Sequence, residues 1–272
     1  MTSVMERLSI NEMTTYRWTF EEDVQQYVAA RIPAIGVWRQ KLSDFGEEKG
    51  VELIRDHGLR VSSLLWAGGF TGSEGRTHQE SVEDAQDAIG LASQLGADCL
   101  VIYTGSRGGH TSNHARRLTV GALKELGDFA DDVNVQLAVE PMHAGCCAEW
   151  TYLTGLDDTL ALLDAVGSRA VKLVFDTYHL GHCQETLARV QEIAPQIGIV
   201  HLGDAKGPPS GEQNRCRLGE GMLPLKQILA DLSAGGYQGW LDVELMGEEI
   251  ESQDYEDLVR HSQAAVAELT QS

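Results

Sequence analysis

Short apolar runs alternate with helix-like stretches eight times along this chain of 272 residues. The runs are five or six residues long and read as buried strands, at 8–13, 34–38, 61–66, 99–103, 136–140, 172–176, 197–202 and 240–245. Between them apolar residues recur with helical spacing, most clearly over 81–95, 118–133 and 255–269. Eight strand–helix units in about 250 residues are typical of a closed parallel barrel. We therefore predict an α/β fold, a single (β/α)8 TIM barrel forming one domain over residues 1–272.

Four of the predicted strands end on or near a residue that can bind a metal ion, namely Glu140, Asp176, His201 and Glu244. Side chains two apart along a strand share a face, and the residues of opposite parity around these four are all apolar. Parallel strands end together at one mouth of a barrel, so the four side chains should converge there. Desolvated like charges repel unless a cation lies among them. The pattern predicts a divalent metal site.

The longest segment without clear periodicity is 203–221, which holds two prolines and five glycines. It follows the seventh predicted strand, on the face where barrel active sites lie. Long loops inside a compact domain are usually functional, and a disordered surface insert is the alternative.

Composition argues against several classes of function. A net charge of −20 would repel a phosphate backbone, so we expect no nucleic-acid partner. The five cysteines show no spacing typical of a zinc ribbon or a redox motif, and the adjacent Cys146 and Cys147 are expected to be free thiols. Because neither a signal peptide nor a long apolar stretch is evident, we expect no membrane partner and a cytoplasmic location.

Four short motifs carry a resemblance to a known superfamily. They are Ala-Val-Glu-Pro at 138–141, Val-Phe-Asp-Thr-Tyr-His at 174–179, Val-His-Leu-Gly-Asp at 200–204 and Leu-Asp-Val-Glu at 241–244. In this order they resemble the metal-site motifs of the xylose isomerase-like barrel superfamily. The similarity is greatest to its sugar isomerase and epimerase branch, which includes ketose 3-epimerases, hydroxypyruvate isomerases and inosose-processing enzymes. One departure is Cys146, at a position where ketose 3-epimerases often carry a glutamate.

The resemblance implies that Glu140, Asp176, His201 and Glu244 bind one divalent cation. It also implies that Glu140 and Glu244 exchange protons with the substrate from opposite sides of the reacting carbons. Three carboxylates with one imidazole form an oxygen-rich donor set, which favours Mn²⁺ or Mg²⁺, with Co²⁺ or Zn²⁺ as alternatives.

Further residues are candidates for substrate binding. The resemblance implies that His179 contacts substrate oxygens and that an arginine after the seventh strand, Arg215 or Arg217, does the same. His110, or Arg107, lies in the loop after the fourth strand and could also reach substrate. Trp38 and Trp66 end the second and third strands, where they form either a wall against sugar C–H faces or part of the core.

Two other acidic residues have structural interpretations. Lys172 and Asp242 share the inward parity, and we expect them to form a buried ion pair at the barrel floor. Asp204 could orient His201 or contact the metal indirectly, since ligating histidines usually need a hydrogen-bond acceptor on the other ring nitrogen.

The favoured function is a metal-dependent isomerase or epimerase that acts on a small keto-sugar or related polyol through an enediolate. A small carbohydrate is therefore the expected partner, and a homo-oligomer is compatible with the fold. The alternative is a dehydratase that uses the same enolate chemistry on an inosose or a dehydroshikimate-like compound. A nuclease resembling endonuclease IV is less favoured, because Trp66, Tyr103, Arg215 and Arg217 stand where that family supplies further metal ligands.

Overall fold

The computed structural model describes residues 4–271 apart from 74, 148 and 212. Its eight strands are all parallel and close into a barrel in sequence order, with the last strand paired to the first. This confirms the predicted (β/α)8 barrel. The strands are β1 Leu8–Asn11, β2 Ala34–Trp38, β3 Arg60–Gly68, β4 Cys99–Tyr103, β5 Gln136–Val139, β6 Val171–Asp176, β7 Ile197–Leu202 and β8 Leu241–Val243.

Helices surround the barrel and connect its strands. They are α1 Phe20–Ala29, α2 Arg39–Phe45, α3 Glu47–His57, α4 His78–Leu95, α5 Ser112–Asp132, α6 Leu156–Val166, α7 Thr177–Leu180, α8 Gln184–Leu187, α9 Val190–Ile193, α10 Leu225–Ala234, α11 Glu248–Glu251 and α12 Tyr255–Leu269. None of those described has both the length and the apolar character needed to cross a bilayer. Helix α4 begins earlier than its apolar stripe because Thr77 and Glu80 form a capping box.

Apolar residues form two separate cores. The larger core lies between the barrel and the surrounding helices. The smaller one fills the lower barrel interior and consists of Ala34, Leu65, Cys99, Val101, Ala138, Val174, Ile199 and Trp240. Above it, polar side chains form a layer in which Asn11 Nδ2 and Ser63 Oγ lie 3.1 and 3.4 Å from Asp242 Oδ2. The interior thus changes from apolar to polar towards the carboxyl ends of the strands.

The prediction that Lys172 and Asp242 form an ion pair is wrong. Register pairs Asp176 with His201 and His201 with Asp242, so Lys172 lies four residues below the level of Asp242. At about 3.3 Å per residue this separates the two backbones by roughly 13 Å along the barrel. Lys172 instead leaves the barrel floor and donates a hydrogen bond to the Pro195 carbonyl oxygen at 3.1 Å.

Strand β3 approaches β4 so closely at Gly68 that no side chain fits. Gly68 has φ +144°, and a Cβ atom there would lie 1.8 Å from the Tyr103 carbonyl oxygen. We expect Gly68→Ala to lower the free energy of unfolding by about 3 kcal/mol, because both the dihedral strain and the overlap must be relieved by backbone movement. Urea unfolding followed by circular dichroism measures this loss.

Gly90→Ala is the matched control, since Gly90 lies within α4 and a Cβ there meets nothing within 4 Å. It should raise stability by about 0.5–1 kcal/mol through helix propensity. Equal effects of the two substitutions would contradict the close approach at Gly68.

Candidate metal centre and active site

Glu140, Asp176, His201 and Glu244 meet at the carboxyl end of the barrel. Asp176 is the last residue of β6 and His201 lies in β7, whereas Glu140 and Glu244 follow directly after β5 and β8. Both glutamates still donate backbone hydrogen bonds to the neighbouring strand, at 2.9 and 3.1 Å, which holds them in the barrel wall. All four side chains are buried, and one potential ligand atom from each lies within 4.8 Å of the others.

The contacts within this cluster orient the His201 ring. Its Nδ1 lies 3.0 Å from Glu140 Oε1 and 3.5 Å from Glu244 Oε2. Its Nε2 faces Asp242 Oδ2 at 3.9 Å and has no hydrogen-bond partner among the described residues. The carboxylates of Glu140 and Glu244 therefore converge on Nδ1, and the Asp242 carboxylate faces Nε2 from beyond hydrogen-bond distance.

Charge dominates the chemistry of the cluster. Burial raises the pKa of Glu244 to about 7, even though His201 and Arg215 oppose that shift. Burial also lowers the pKa of His201, but attraction to Glu244 and Glu140 outweighs it and raises the pKa to about 10. Without another cation the cluster thus holds a proton on His201. Metal binding requires the neutral imidazole, so an ion would displace that proton.

These residues fit a divalent cation. Asp176 uses Oδ1 to accept hydrogen bonds from the backbone N–H groups of Tyr178 and His179, at 2.6 and 3.1 Å. Its Oδ2 is buried and faces the cluster, with Arg215 Nη2 3.0 Å away as the cationic partner among the described residues. Buried carboxylate oxygens beside an imidazole form the donor set of an oxygen-rich metal site.

Arg215 lies against the cluster, whereas Arg217 does not. Arg215 is fully buried, and its Nη2 lies 2.9 Å from Glu244 Oε2 and 3.0 Å from Asp176 Oδ2. Its Nη1 donates to the Glu244 carbonyl oxygen at 2.9 Å. Arg217 instead donates to Gln253 and Asp257 at 2.6 and 2.8 Å, on the outside of the barrel mouth. Of the two expected arginines, the structure brings only Arg215 to the site.

A cavity of about 320 Å³ opens directly above the cluster. Both glutamates line it, together with Arg215 and His179, and most of the remaining wall is aromatic or methionine. The complete lining is Met13, Tyr16, Trp38, Trp66, Tyr103, Glu140, Met142, Trp150, His179, Gln213, Arg215, Glu244 and Met246. A substrate in this cavity would contact the two carboxylates from above.

Five aromatic rings form a continuous wall on one side of the cavity. Tyr16 stacks on Trp38 at 5.6 Å, Trp38 meets Trp66 at 6.5 Å, Trp66 meets Trp150 at 5.9 Å, and Trp150 meets Tyr103 at 5.8 Å between ring centroids. Trp38 and Trp66 were predicted as candidate wall residues because they end the second and third predicted strands. Tyr103 ends β4 and could have been predicted in the same way. Tyr16 and Trp150 lie in loops, where no periodicity indicated them.

His179 forms part of the cavity wall in one defined tautomer. Its Nδ1 accepts a hydrogen bond from the His143 backbone N–H at 3.2 Å, and Cys146 Sγ lies 3.7 Å from the same nitrogen. Burial lowers the pKa of His179 to about 4, despite the nearby Asp176 carboxylate. The ring is therefore neutral near pH 7 and carries its hydrogen on Nε2, which can donate to a substrate oxygen.

Two other expectations need correction. His110 lies outside the cavity, because its Nε2 is 3.0 Å from the Thr71 carbonyl oxygen in the neighbouring loop, and Arg107 lines a separate surface cavity. Asp204 does not orient His201, since its carboxylate accepts hydrogen bonds from backbone N–H groups of its own loop.

The cluster of Glu140, Asp176, His201 and Glu244 is the one group of three or more potential metal ligands in the described part of the chain. The three-metal site expected for a nuclease resembling endonuclease IV is therefore not found among these residues.

Sequence comparison agrees with this geometry. The family description "Xylose isomerase-like TIM barrel" matches residues 26–269. The chain belongs to this family. It is 30% identical over 125 residues to a D-psicose 3-epimerase from Enterocloster bolteae, covering 46% of this chain and 38% of that protein. It is 25% identical over 158 residues to an inosose isomerase from Halalkalibacterium halodurans, covering 57% of this chain and 55% of that protein. The matches thus span less than two thirds of either relative.

Solved structures with low sequence identity have the same fold. A Sinorhizobium meliloti protein superposes with a TM-score of 0.89 at 24% identity, covering 99% of this chain and 100% of that one. The IOLI protein, crystallised with a bound zinc atom, superposes with a TM-score of 0.84 at 19% identity, with 97% of each chain covered. At sequence identities below 25%, these superpositions show that the proteins share the barrel fold.

The positions of His201 and Asp242 predict that substituting them will lower Mn²⁺ affinity to different extents. His201→Ala should weaken Mn²⁺ binding most, because it removes the only nitrogen donor and leaves three carboxylates that repel one another. Asp242→Asn keeps the shape but removes the charge behind Nε2, and we expect about a 10-fold loss of affinity. Isothermal titration of metal-free protein with Mn²⁺ gives both values.

His114→Ala is the control, because His114 is half-buried near the start of α5 and its Nδ1 lies 2.9 Å from Arg117 Nη2, away from the cluster. It should bind Mn²⁺ as the unaltered protein does. Full affinity in His201→Ala would reject His201 as a ligand, and full affinity in Asp242→Asn would reject Asp242 as its orienting group.

Proposed function

We propose that this protein is a divalent-metal-dependent isomerase or epimerase of a small keto-sugar or related polyol. The observation that carries the proposal is that Glu140 and Glu244 belong to the buried cluster and also line the cavity above it. Carboxylates that serve only to hold an ion need no access to a substrate. The two named relatives, a sugar epimerase and an inosose isomerase, support the same class of reaction.

The two glutamates would act as the proton carriers. Strands β5 and β8 lie three places apart in the eight-stranded barrel, so Glu140 and Glu244 approach the cavity from different sides. A proton beside a carbonyl is removed by one carboxylate, and the resulting enediolate is reprotonated by the other. Return of the proton on the opposite face of the same carbon inverts it, whereas return to the adjacent carbon isomerises the sugar.

Glu140, Asp176, His201 and Glu244 would hold the cation. A bound divalent ion supplies positive charge that stabilises the negative charge developing on the substrate oxygens. The oxygen-rich donor set favours Mn²⁺ or Mg²⁺. The IOLI protein, whose barrel is similar, was crystallised with a bound zinc atom, which supports a metal-binding role for this fold and leaves Zn²⁺ and Co²⁺ as alternatives.

His179 and Arg215 would position the substrate. The His143 backbone N–H fixes His179 with its hydrogen on Nε2, so the ring presents a neutral donor to a substrate oxygen. Arg215 places a permanent positive charge between two members of the cluster and at the cavity surface. Trp38 and Trp66 offer flat apolar surfaces to the C–H faces of a sugar. We further infer a single catalytic domain, because the matched range 26–269 takes in nearly the whole chain.

Replacing either glutamate tests the proton transfers. In D₂O the metal-loaded protein should place deuterium on the carbon beside the substrate carbonyl. Glu140→Gln and Glu244→Gln should each lower turnover by 10²-fold or more (about the usual contribution of general acid–base catalysis), because an amide can offer oxygen to a metal but is a very poor base. Mass spectrometry of the product measures both deuterium content and mass.

The variants must be compared at equal metal content, with Glu268→Gln on the outer helix α12 as the control. Near-normal turnover by both metal-loaded glutamine variants would exclude the glutamates as proton carriers. A product lighter by one water would assign the dehydratase reaction in place of isomerisation.

His179→Ala separates substrate positioning from metal binding. We expect the variant to keep its metal and to lose about 10²-fold or more in kcat/KM, because a hydrogen bond that orients the reacting oxygens is removed. Elemental analysis and steady-state kinetics give the two quantities. Parallel loss of metal and activity would place His179 among the ligands instead.

A further inference from the structure

The Thr14 side chain binds the backbone on both sides of Glu244. Thr14 Oγ1 donates a hydrogen bond to the Val243 carbonyl oxygen at 2.9 Å and accepts one from the Leu245 N–H at 3.0 Å. Thr14 is completely buried, so bulk water does not compete for these groups. A single hydroxyl group thus connects the residue before Glu244 to the residue after it.

The other polar groups of the two peptide units that flank Glu244 are paired as well. The Glu244 N–H donates to the Leu202 carbonyl oxygen at 3.1 Å, and Arg215 Nη1 donates to the Glu244 carbonyl oxygen at 2.9 Å. Peptide units are planar, so hydrogen bonds to both units restrict the φ and ψ angles of Glu244 and hence the direction of its side chain. Thr14 supplies half of these restraints.

Strand pairing explains why a side chain is needed at this point. The ladder between β1 and β8 ends with Ile10 opposite Val243, one residue before Glu244. The chain then turns after β1, and the Thr14 N–H donates to the Asn11 carbonyl oxygen at 2.9 Å. The ladder therefore stops short of Glu244, and the Thr14 hydroxyl continues the hydrogen bonding across the seam between the first and last strands.

The two glutamates differ in the residue that follows them. Glu140 precedes Pro141, and a proline ring restricts the backbone of the residue before it to extended conformations. Glu244 precedes Leu245, which imposes no such restriction. The contact with Thr14 thus gives Glu244 a restraint that Glu140 receives from the covalent chain.

Thr14 is itself fixed from the helix layer. The buried Lys41 of α2 donates through Nζ to the Glu12 and Thr15 carbonyl oxygens, at 3.2 and 2.9 Å, and lies 2.6 Å from Asp23 Oδ2 of α1. Thr15 Oγ1 donates to Asp23 Oδ1 at 2.5 Å. An ammonium group that binds carbonyl groups on both sides of Thr14 restricts the segment that carries its hydroxyl.

We propose that Thr14 is a positioning residue that aligns Glu244 for metal binding and for proton transfer. This role rests on the proposed function of Glu244 and deepens it. A misplacement of about 1 Å at a reacting group can slow a reaction by about 10²-fold, so the loss of two backbone restraints has a measurable effect. The effect is specific to Glu244, because Thr14 contacts the end of β8, whereas Glu140 follows β5.

Thr14→Val tests the contact, because valine keeps the shape of threonine but lacks the hydroxyl group. We expect the Leu245 amide hydrogen to exchange with D₂O about 10-fold faster, because it loses its acceptor, and Mn²⁺ affinity to fall about 10-fold. Hydrogen exchange followed by NMR and isothermal titration of the metal-free protein measure these changes. Thr14→Ser keeps a hydroxyl group and should restore both values.

Thr119→Val is the matched control. Thr119 is as completely buried as Thr14, and its hydroxyl donates to the Ala115 carbonyl oxygen within α5 at 3.1 Å. This variant should exchange at Leu245 and bind Mn²⁺ as the unaltered protein does. If Thr14→Val does not fold, Thr14→Ala removes the same hydroxyl with less bulk and is judged by the same measurements.

Kinetics test whether the effect is confined to Glu244. With metal-loaded protein in D₂O, deuterium in the recovered substrate and in the product reports the two proton transfers separately. Thr14→Val should lower kcat about 10-fold while KM stays within about 2-fold, and it should slow the transfer that Glu244→Gln slows. Slowing of both transfers to the same extent would indicate general structural damage and overturn the positioning role.

The metal and exchange measurements separate failure of this inference from failure of the proposed function. If the unaltered protein turns over no keto-sugar, the proposed function is wrong for the compounds tried, and Mn²⁺ affinity alone decides the role of Thr14. Weaker Mn²⁺ binding in Thr14→Val that Thr14→Ser restores would then support the positioning of Glu244. Unchanged Mn²⁺ affinity in a folded Thr14→Val protein would overturn it, whatever reaction the protein catalyses.

Discussion

The concentration of buried carboxylates at the carboxyl end of the barrel is the constraint on which the rest of the structure depends. Glu140, Asp176, Glu244 and, one layer below, Asp242 lie within the same small volume and are almost completely buried. Uncompensated charges of one sign in such surroundings would unfold the site or take up protons. Arg215 and His201 supply part of the compensation, and the proposed divalent cation would supply the remainder.

The barrel interior is layered so that this charge can be held without being exposed to water. Small and aliphatic side chains fill the lower interior, and Asn11 and Ser63 provide hydrogen bonds to Asp242 above them. Gly36 leaves the necessary space, because a Cβ atom there would lie 2.5 Å from Asp242 Oδ2. Each layer thus supports the next, and His201 lies between Asp242 beneath it and the carboxylates of Glu140 and Glu244 beside it.

The upper part of the cavity, away from the carboxylates, is mainly apolar. Its aromatic wall excludes water from one side, while Tyr16 and Trp150 remain 47% and 44% exposed at the rim. A sugar has both hydroxyl groups and apolar C–H faces, so it can satisfy the polar floor and the aromatic wall together. The cavity thus combines a charged floor with an aromatic wall.

The sequence alone determined the barrel and the four residues of the candidate metal cluster, because strands impose a strict period. Glu140, Asp176, His201 and Glu244 could be assigned to one face from parity, and parallel strands must end at the same mouth. Loops impose no such period, so tertiary structure alone decided that Arg215 rather than Arg217 reaches the cluster. It likewise placed Trp150 in the cavity and left His110 outside it. Asp242 rather than Asp204 faces His201 because β8 pairs with β7 with Asp242 opposite His201, a contact set by the register between strands and invisible in either segment by itself.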